Sequence, residues 1–417
     1  MLMDRFHGLI GLVLILGLAF LFSNNKKKIN FRLVFSGIGL QVVIALLLLK
    51  VPPITAFFQM LGKGMKKIEE FSREGVAFVY RGLATTTPTG YQDFSAGGFV
   101  FAFSVTATII LVCVLVAIMY HFGIMQYIVS IIAKAMNFIM RVSGAEALSN
   151  VASAFVGQVE AQVMIRPYLS TMTKSELLAS MSGSLACIAG GILIVYANMG
   201  AKAEYLLTAS LMAAPGALVI SKIVFPETEE SQTMGKVKLE VKSPYSNIID
   251  AISHGAGDGM KIAVNVIAML IGFIALIAML DWMLLKVGHL FNADLNLSLN
   301  WIFAKIFYPI TWAMGIPSQD VANAATLLGQ KITINEFVAF NNLTTKAVPI
   351  LTEKGNLIVS IAICGFANFS SVGMQIGGIG ELAPTRRADL AKLGLKALLC
   401  GTLASYLSAT IAGILMG

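Results

Sequence analysis

Charge is scarce in this chain. Only 12% of its 417 residues are Asp, Glu, Lys or Arg, against about 25% in soluble domains. With 57% hydrophobic residues and a mean hydropathy of +0.80, it reads as a polytopic membrane protein. Cysteine is as rare. The four thiols (Cys113, Cys187, Cys364, Cys400) sit inside apolar segments without a C-x-x-C pair, which argues against disulfides and zinc. The four histidines form no H-E-x-x-H, and no G-x-x-x-x-G-K-[ST] loop occurs. An intramembrane zinc protease and an ATP-driven pump are therefore not expected. A cleavable signal places its positive charges before the apolar run. Here Lys26, Lys27 and Lys28 follow Gly8–Phe22, so the first run is expected to stay as a span. The net charge of +8 is spread over loops as a positive-inside bias gives, and no nucleic-acid partner is expected.

What is present is a series of apolar runs of spanning length, about 20 residues each. They fall at roughly 6–22, 32–50, 98–120, 175–199, 203–225, 259–285, 356–376 and 390–416. Between them, Phe57–Tyr80 mixes Lys66, Lys67, Glu69, Glu70 and Arg73 with apolar residues, the pattern of an interfacial helix or of an external loop containing one. Two further regions, about 133–174 and about 296–348, are too polar and too broken for clean crossings. They are expected to be re-entrant hairpins, whose non-helical tips must face protein or a water-filled cavity. With eight spans, the Lys and Arg clusters at 26–32, 134–141, 166–174 and 386–396 fall on one side. That side is expected to be cytoplasmic, with both termini outside and the Pro226–Pro244 loop in the cytoplasm.

The hairpin tips carry acids. Gln158, Glu160 and Gln162 lie in one short run, and Glu336 lies in the second tip. A carboxylate at membrane depth costs about 2.5–3.5 kcal/mol on insertion scales and so persists mainly for function. A Gly-broken apolar stretch at Cys187–Gly191 follows Glu160, and a second at Cys364–Ser371 follows Glu336. Two such units with opposite sense make an inverted repeat, the usual pointer to a transporter's site near the midplane. The expected organisation is thus N-terminal spans and an interfacial helix as scaffold (1–96), a first repeat (97–225), a cytoplasmic loop (226–247) and a second repeat (248–417). A glutamine beside a carboxylate suits the donor and acceptor edge of a nucleobase. A second carboxylate with Asn368 and Ser371 suits vicinal hydroxyls, and Phe366 suits a ring.

The motifs Phe155-Val-Gly-Gln-Val-Glu160, Arg166-Pro167, Lys174-Ser-Glu-Leu177, Ile188-Ala-Gly-Gly191, Met212-Ala-Ala-Pro-Gly216, Pro226-Glu-Thr-Glu229, Asn335-Glu-Phe-Val-Ala339, Cys364-Gly-Phe-Ala-Asn368 and Ala409-Thr-Ile-Ala-Gly413 occur in this order. In them the chain resembles, over nearly its whole length, the concentrative nucleoside transporters of bacterial type. The resemblance implies an all-α polytopic membrane protein of eight transmembrane helices, an interfacial helix and two re-entrant hairpins. It also implies a homotrimer in the bacterial inner membrane that imports nucleosides by an elevator motion. Gln158, Val159 and Glu160 would meet the base, with Ile192 as an apolar contact. Glu336, Asn368 and Ser371 would bind the ribose, with Phe366 alongside.

Two departures stand out. Val159 replaces the family's threonine and removes a hydroxyl from the base site. The family's sodium site falls on Ser153, Val156, Cys187 and Ile188, where asparagine and a hydroxyl residue have become serine and cysteine. A thiol is a poor ligand for a hard cation, so sodium binding is expected to be weakened and the coupling ion is expected to be H+ or Na+. No other cofactor is expected. Competing expectations are a carrier of free nucleobases or another neutral solute, and a membrane hydrolase using Glu160 and Glu336 as acid and base.

Overall fold

In a computed structural model the described residues are 2–80, 101–233, 245–291 and 296–416, and their regular structure is entirely helical. Residues 234–244, half of the expected 226–247 loop, and the 96/97 boundary lie outside them. In chain order come α1 (Leu2–Leu21), α2 (Phe31–Lys50), α3 (Pro52–Tyr80), α4 (Phe101–His121) and α5 (Ile124–Met140). Then follow α6 (Gly144–Ser153), α7 (Glu160–Val163), α8 (Arg166–Leu169), α9 (Lys174–Ala186), α10 (Gly190–Asn198) and α11 (Ala203–Val224). The second half holds α12 (Ile248–Phe291), α13 (Leu299–Ile306), α14 (Tyr308–Ala313), α15 (Val321–Thr333) and α16 (Glu336–Thr344). It closes with α17 (Glu353–Ile363), α18 (Phe369–Leu382) and α19 (Arg387–Met416).

Four helical stretches among the described residues are long and apolar enough to cross a membrane: Phe31–Lys50, Lys174–Asn198, Ala203–Val224 and Pro384–Met416. These match the second, fourth, fifth and last of the expected runs. The first run is a shorter apolar helix, His7–Leu21. α4 and α5 form a bent pair, turned by 76° at Gly123, whose φ of +74° is open to glycine at no steric cost. The first expected hairpin interval thus begins inside α5. Its arms are α6 on one side and the short turns α7 and α8 on the other, with a non-helical tip at 154–159. The second interval holds α13 to α16, with its break at Ile334-Asn335.

The core is built from α9, α11, α17 and α19, with α1 and α2 against α11 and α19. Small residues carry this packing, as expected where lipid offers no hydrophobic drive between helices. A Cβ on Gly401 of α19 would lie 2.8 Å from Leu185 Cβ, so the α9 and α19 backbones run in near contact. A second pair, α4 and α12, meets the same way. A Cβ on Gly255 would lie 2.8 Å from Cys113 O, and one on Gly259 would lie 2.7 Å from Ile110 Cα.

Helix starts at the first broken region are fixed by side-chain caps. Ser143 with Glu146 and Thr173 with Glu176 form reciprocal capping boxes at α6 and α9. Each such cap is worth about 1 kcal/mol. At the same end Lys222 Nζ sits 2.7 Å from Glu146 and 3.3 Å from Glu227, while Ser231 donates to Glu176. The segment after α11 is thereby tied to the base of the first broken region.

Candidate substrate-binding site

The site lies where four chain breaks converge. α9 ends at Ala186 and α10 begins at Gly190, and α17 ends at Ile363 and α18 begins at Phe369. The tip 154–159 and the break at 334–335 face these gaps. Backbone links cross between them: Gly190 N–H donates to Phe155 O (3.1 Å) and Phe366 N–H donates to Cys187 O (3.1 Å). Orphan backbone groups at the broken helix ends are thus partly satisfied by the opposite break. α16 and α18 both start on an asparagine cap. Asn335 Oδ1 accepts from Val338 N–H (2.9 Å), and Asn368 Oδ1 accepts from Ser371 N–H (2.8 Å).

Between the breaks is a cavity of about 230 Å³. All eight expected substrate residues line it: Gln158, Val159, Glu160, Ile192, Glu336, Phe366, Asn368 and Ser371. Gln158 is buried and its Oε1 has no hydrogen-bond partner, which leaves an acceptor free for a ligand's donor. Glu160 is open to the cavity. It stands over Gly157, whose φ of +123° and closeness to the Glu160 carboxylate leave no room for a Cβ. Glu336 is buried, with Tyr196 Oη donating to its Oε1 (3.0 Å) and Asn368 Nδ2 donating to its Oε2 (2.9 Å). Val159 turns its two methyl groups onto α18 at Gly378. One wall is therefore acidic and hydrogen-bonded, while Ile192 and Phe366 supply apolar surface.

The expected cation residues are placed differently. Val156 lines the cavity, but Ser153, Cys187 and Ile188 are buried behind it. Ser153 Oγ donates to Ser149 O (2.7 Å) and pairs with Ser184 Oγ (2.8 Å). That contact continues as a ladder, since Gln162 Nε2 donates to Ser184 Oγ (2.9 Å) and Ser180 Oγ donates to Gln162 Oε1 (2.7 Å). The one hydroxyl at this position is thus hydrogen-bonded on two sides, and the other side chain is a thiol, a poor ligand for a hard cation.

Three features were not expected from the sequence. Tyr196 lies in an apolar run, and nothing local marks it as the partner of Glu336. The serine ladder joins α6 to α9 through residues that read singly as packing. A second chamber of about 240 Å³ adjoins the first and shares Val156, Glu160 and Ile192 with it. Asp258, Tyr120, Tyr245 and Cys113 line this chamber. The glycines around Asp258, which bring α12 onto α4, were the available signal.

Comparison with known proteins finds family profiles, relatives and solved structures that this chain resembles. Residues 205–413 match the family profile described as Na+ dependent nucleoside transporter C-terminus, and residues 10–83 match the corresponding N-terminus. Residues 102–203 match a profile described as nucleoside recognition. An uncharacterized transporter of Haemophilus influenzae is 39% identical, covering 100% of this chain and 99% of its own length. The nucleoside permease NupC of Helicobacter pylori is 37% identical over 100% of this chain and 99% of its own. Among solved structures, CNTnw in an inward-facing substrate-bound state superposes with a TM-score of 0.92 at 38% identity, covering 99% of this chain and 98% of that one. A CNTnw variant in an outward-facing state gives 0.94 at 38% identity, over 100% and 99%.

Proposed function

Because the chain belongs to the concentrative nucleoside transporter family, we propose that it is a secondary active importer that carries nucleosides across a bacterial inner membrane. The family and these relatives are transporters and not enzymes, so hydrolysis by Glu160 and Glu336 is set aside. The observation that carries the reading is the convergence of Gln158, Glu160, Glu336, Asn368 and Ser371 on one cavity. Gln158 and Glu160 offer an acceptor and donor edge to the base, against Val159 and Ile192. Glu336, Asn368 and Ser371 take the ribose hydroxyls, and Phe366 packs beside the ring. Alternating access is by an elevator motion of both re-entrant hairpins within a homotrimer of eight-span subunits whose termini lie outside.

Proton coupling is the reading that the cation position favours, since Ser153 Oγ is already bonded on two sides and Cys187 offers sulfur. The deciding experiment is uridine uptake into proteoliposomes under an imposed proton gradient and, separately, an imposed sodium gradient. Accumulation is expected with the proton gradient. Accumulation under sodium alone would overturn proton coupling, and none under either would overturn active transport. Stabilisation by uracil equal to that by uridine would favour a nucleobase carrier and remove the ribose role of Glu336.

A further inference from the structure

The contacts proposed for a nucleoside leave the second chamber unfilled. It joins the first cavity through six residues that line both: Ile109, Val156, Glu160, Ala189, Ile192 and Ile262. Ile109 and Ile262 come from α4 and α12, and the other four from the tip, α7 and the start of α10. The passage between the chambers is therefore an apolar collar with one carboxylate in it.

Helical spacing builds the far walls. On α4, Ile109, Val112, Val116 and Tyr120 recur at intervals that place them on one face, and Gly255, Asp258 and Ile262 do the same on α12. Glycines set how closely these walls approach. Gly255 and Gly259 hold α12 against α4, and a Cβ on Gly191 would lie 2.9 Å from Val112 Cγ1, so the first turn of α10 rests on α4. The chamber is the space left between these contacts. Its walls carry isoleucine, valine, alanine and aromatic side chains with two carboxylates, Glu160 and Asp258, and among the described residues no lysine, arginine or histidine lines it. The ion-pair partner of Asp258 is Lys261 at 3.5 Å, an exposed side chain outside the lining.

The collar lies at the base end of the site. Two of the groups proposed for the base, Glu160 and Ile192, are themselves collar residues. The groups proposed for the ribose, Glu336, Asn368 and Ser371, line the first cavity and not the second chamber. A bound nucleoside thus turns its base toward the opening and its ribose away from it. An apolar group carried on that base exchanges water for an apolar wall, which is favourable in proportion to the area buried. An anionic group meets two carboxylates and no lining cation, and an unpaired charge at membrane depth is costly.

We propose that the second chamber is an annex of the base site that receives substituents carried on the base. The protein then binds base-modified nucleosides bearing a neutral aryl or alkyl group and discriminates against those bearing an anionic one. The proposal rests on the reading of Gln158 and Glu160 as base-binding groups.

The test titrates the full chain in lipid nanodiscs with uridine, cytidine and adenosine, each beside its benzyl derivative: 5-benzyluridine, N4-benzylcytidine and N6-benzyladenosine. At least one derivative is expected to bind as tightly as its parent or more tightly. Its 4-carboxybenzyl counterpart should bind about tenfold or more weakly than the benzyl form. Val116→Trp on α4 and Val163→Trp on α7 fill the chamber from residues that do not line the first cavity. Each should weaken the benzyl derivative about tenfold or more and leave the parent within about threefold. Every derivative binding more weakly than its parent in the wild type overturns the proposal, whether or not the tryptophan variants fold. So does a tryptophan variant with parent affinity that binds the benzyl derivative as the wild type does, and so does equal binding of the benzyl and carboxybenzyl forms. Failure of all three parents to bind refutes the nucleoside reading instead.

Discussion

The contact between Val159 and Gly378 can be broken with a single methyl group. A Cβ on Gly378 would lie 2.7 Å from Val159 Cγ1 and 2.9 Å from Cγ2. Val159 has no easy escape, because a β-branched side chain is stiff at χ1 and both of its methyls face the new atom. Gly378→Ala therefore has to push the tip away from α18. Overpacking of this kind costs about 1–3 kcal/mol. Gln158 and Glu160 flank Val159, so relief of the strain displaces two residues of the cavity wall. If the whole cost appears in binding, uridine affinity falls by about 5- to 150-fold. Calorimetric titration of the purified protein measures this directly. Val159→Ala removes both clashing methyls, so Gly378→Ala in the Val159→Ala background is expected to cost less than about threefold in affinity. Full uridine affinity in Gly378→Ala alone would refute the contact, and an unrescued loss in the double variant would show that α18 acts through something other than the tip.

Tyr196→Phe keeps the ring stacked on Phe340 at 4.4 Å but removes the hydroxyl bond to Glu336. A hydrogen bond of this kind is worth about 0.5–1.5 kcal/mol, so uridine affinity should drop about 2- to 10-fold, while any uracil binding changes little; titration with both ligands checks it. Gly183→Ala places a methyl group onto Asn150 Oδ1 and disturbs the Asn150 bonds to Glu146 O (2.7 Å) and Ala179 O (3.2 Å). It should lower stability by about 1–3 kcal/mol, read by thermal unfolding in detergent. Lys222→Met strands Glu146 in a buried site and should cost about 3–5 kcal/mol, whereas Lys222→Met with Glu146→Gln should recover much of it, judged by the same assay. Ser153→Asn with Cys187→Ser is expected to make uridine uptake respond to a sodium gradient, measured in proteoliposomes.

Much of the site was readable because it is written in residues that a bilayer penalises. Gln158, Glu160 and Glu336 stand out against apolar neighbours, and the glycine-broken segments after them predicted chain breaks that the structure has at 187–189 and 364–368. What stayed hidden was hidden for physical reasons. α5 continues an amphipathic pattern without a proline or charge run, so its 76° bend is marked only by Gly123. The link that ties one of these breaks to the other, Phe366 N–H to Cys187 O, leaves no local trace because the partner is remote in sequence. The same holds for Tyr196 and Glu336, which are 140 positions apart. Lys331 is the sharpest case. Within Lys331-Ile-Thr-Ile-Asn-Glu336 its charge looks like the solvated end of a helix, since lysine is almost never fully buried unless paired. Only the fold closes α19 over it and sets its ammonium over the Tyr406 ring. The two acids that look equivalent in sequence therefore differ in their surroundings. Glu160 opens to the cavity, where Asp258 lines the adjoining chamber with it, and Glu336 is buried between Tyr196 and Asn368.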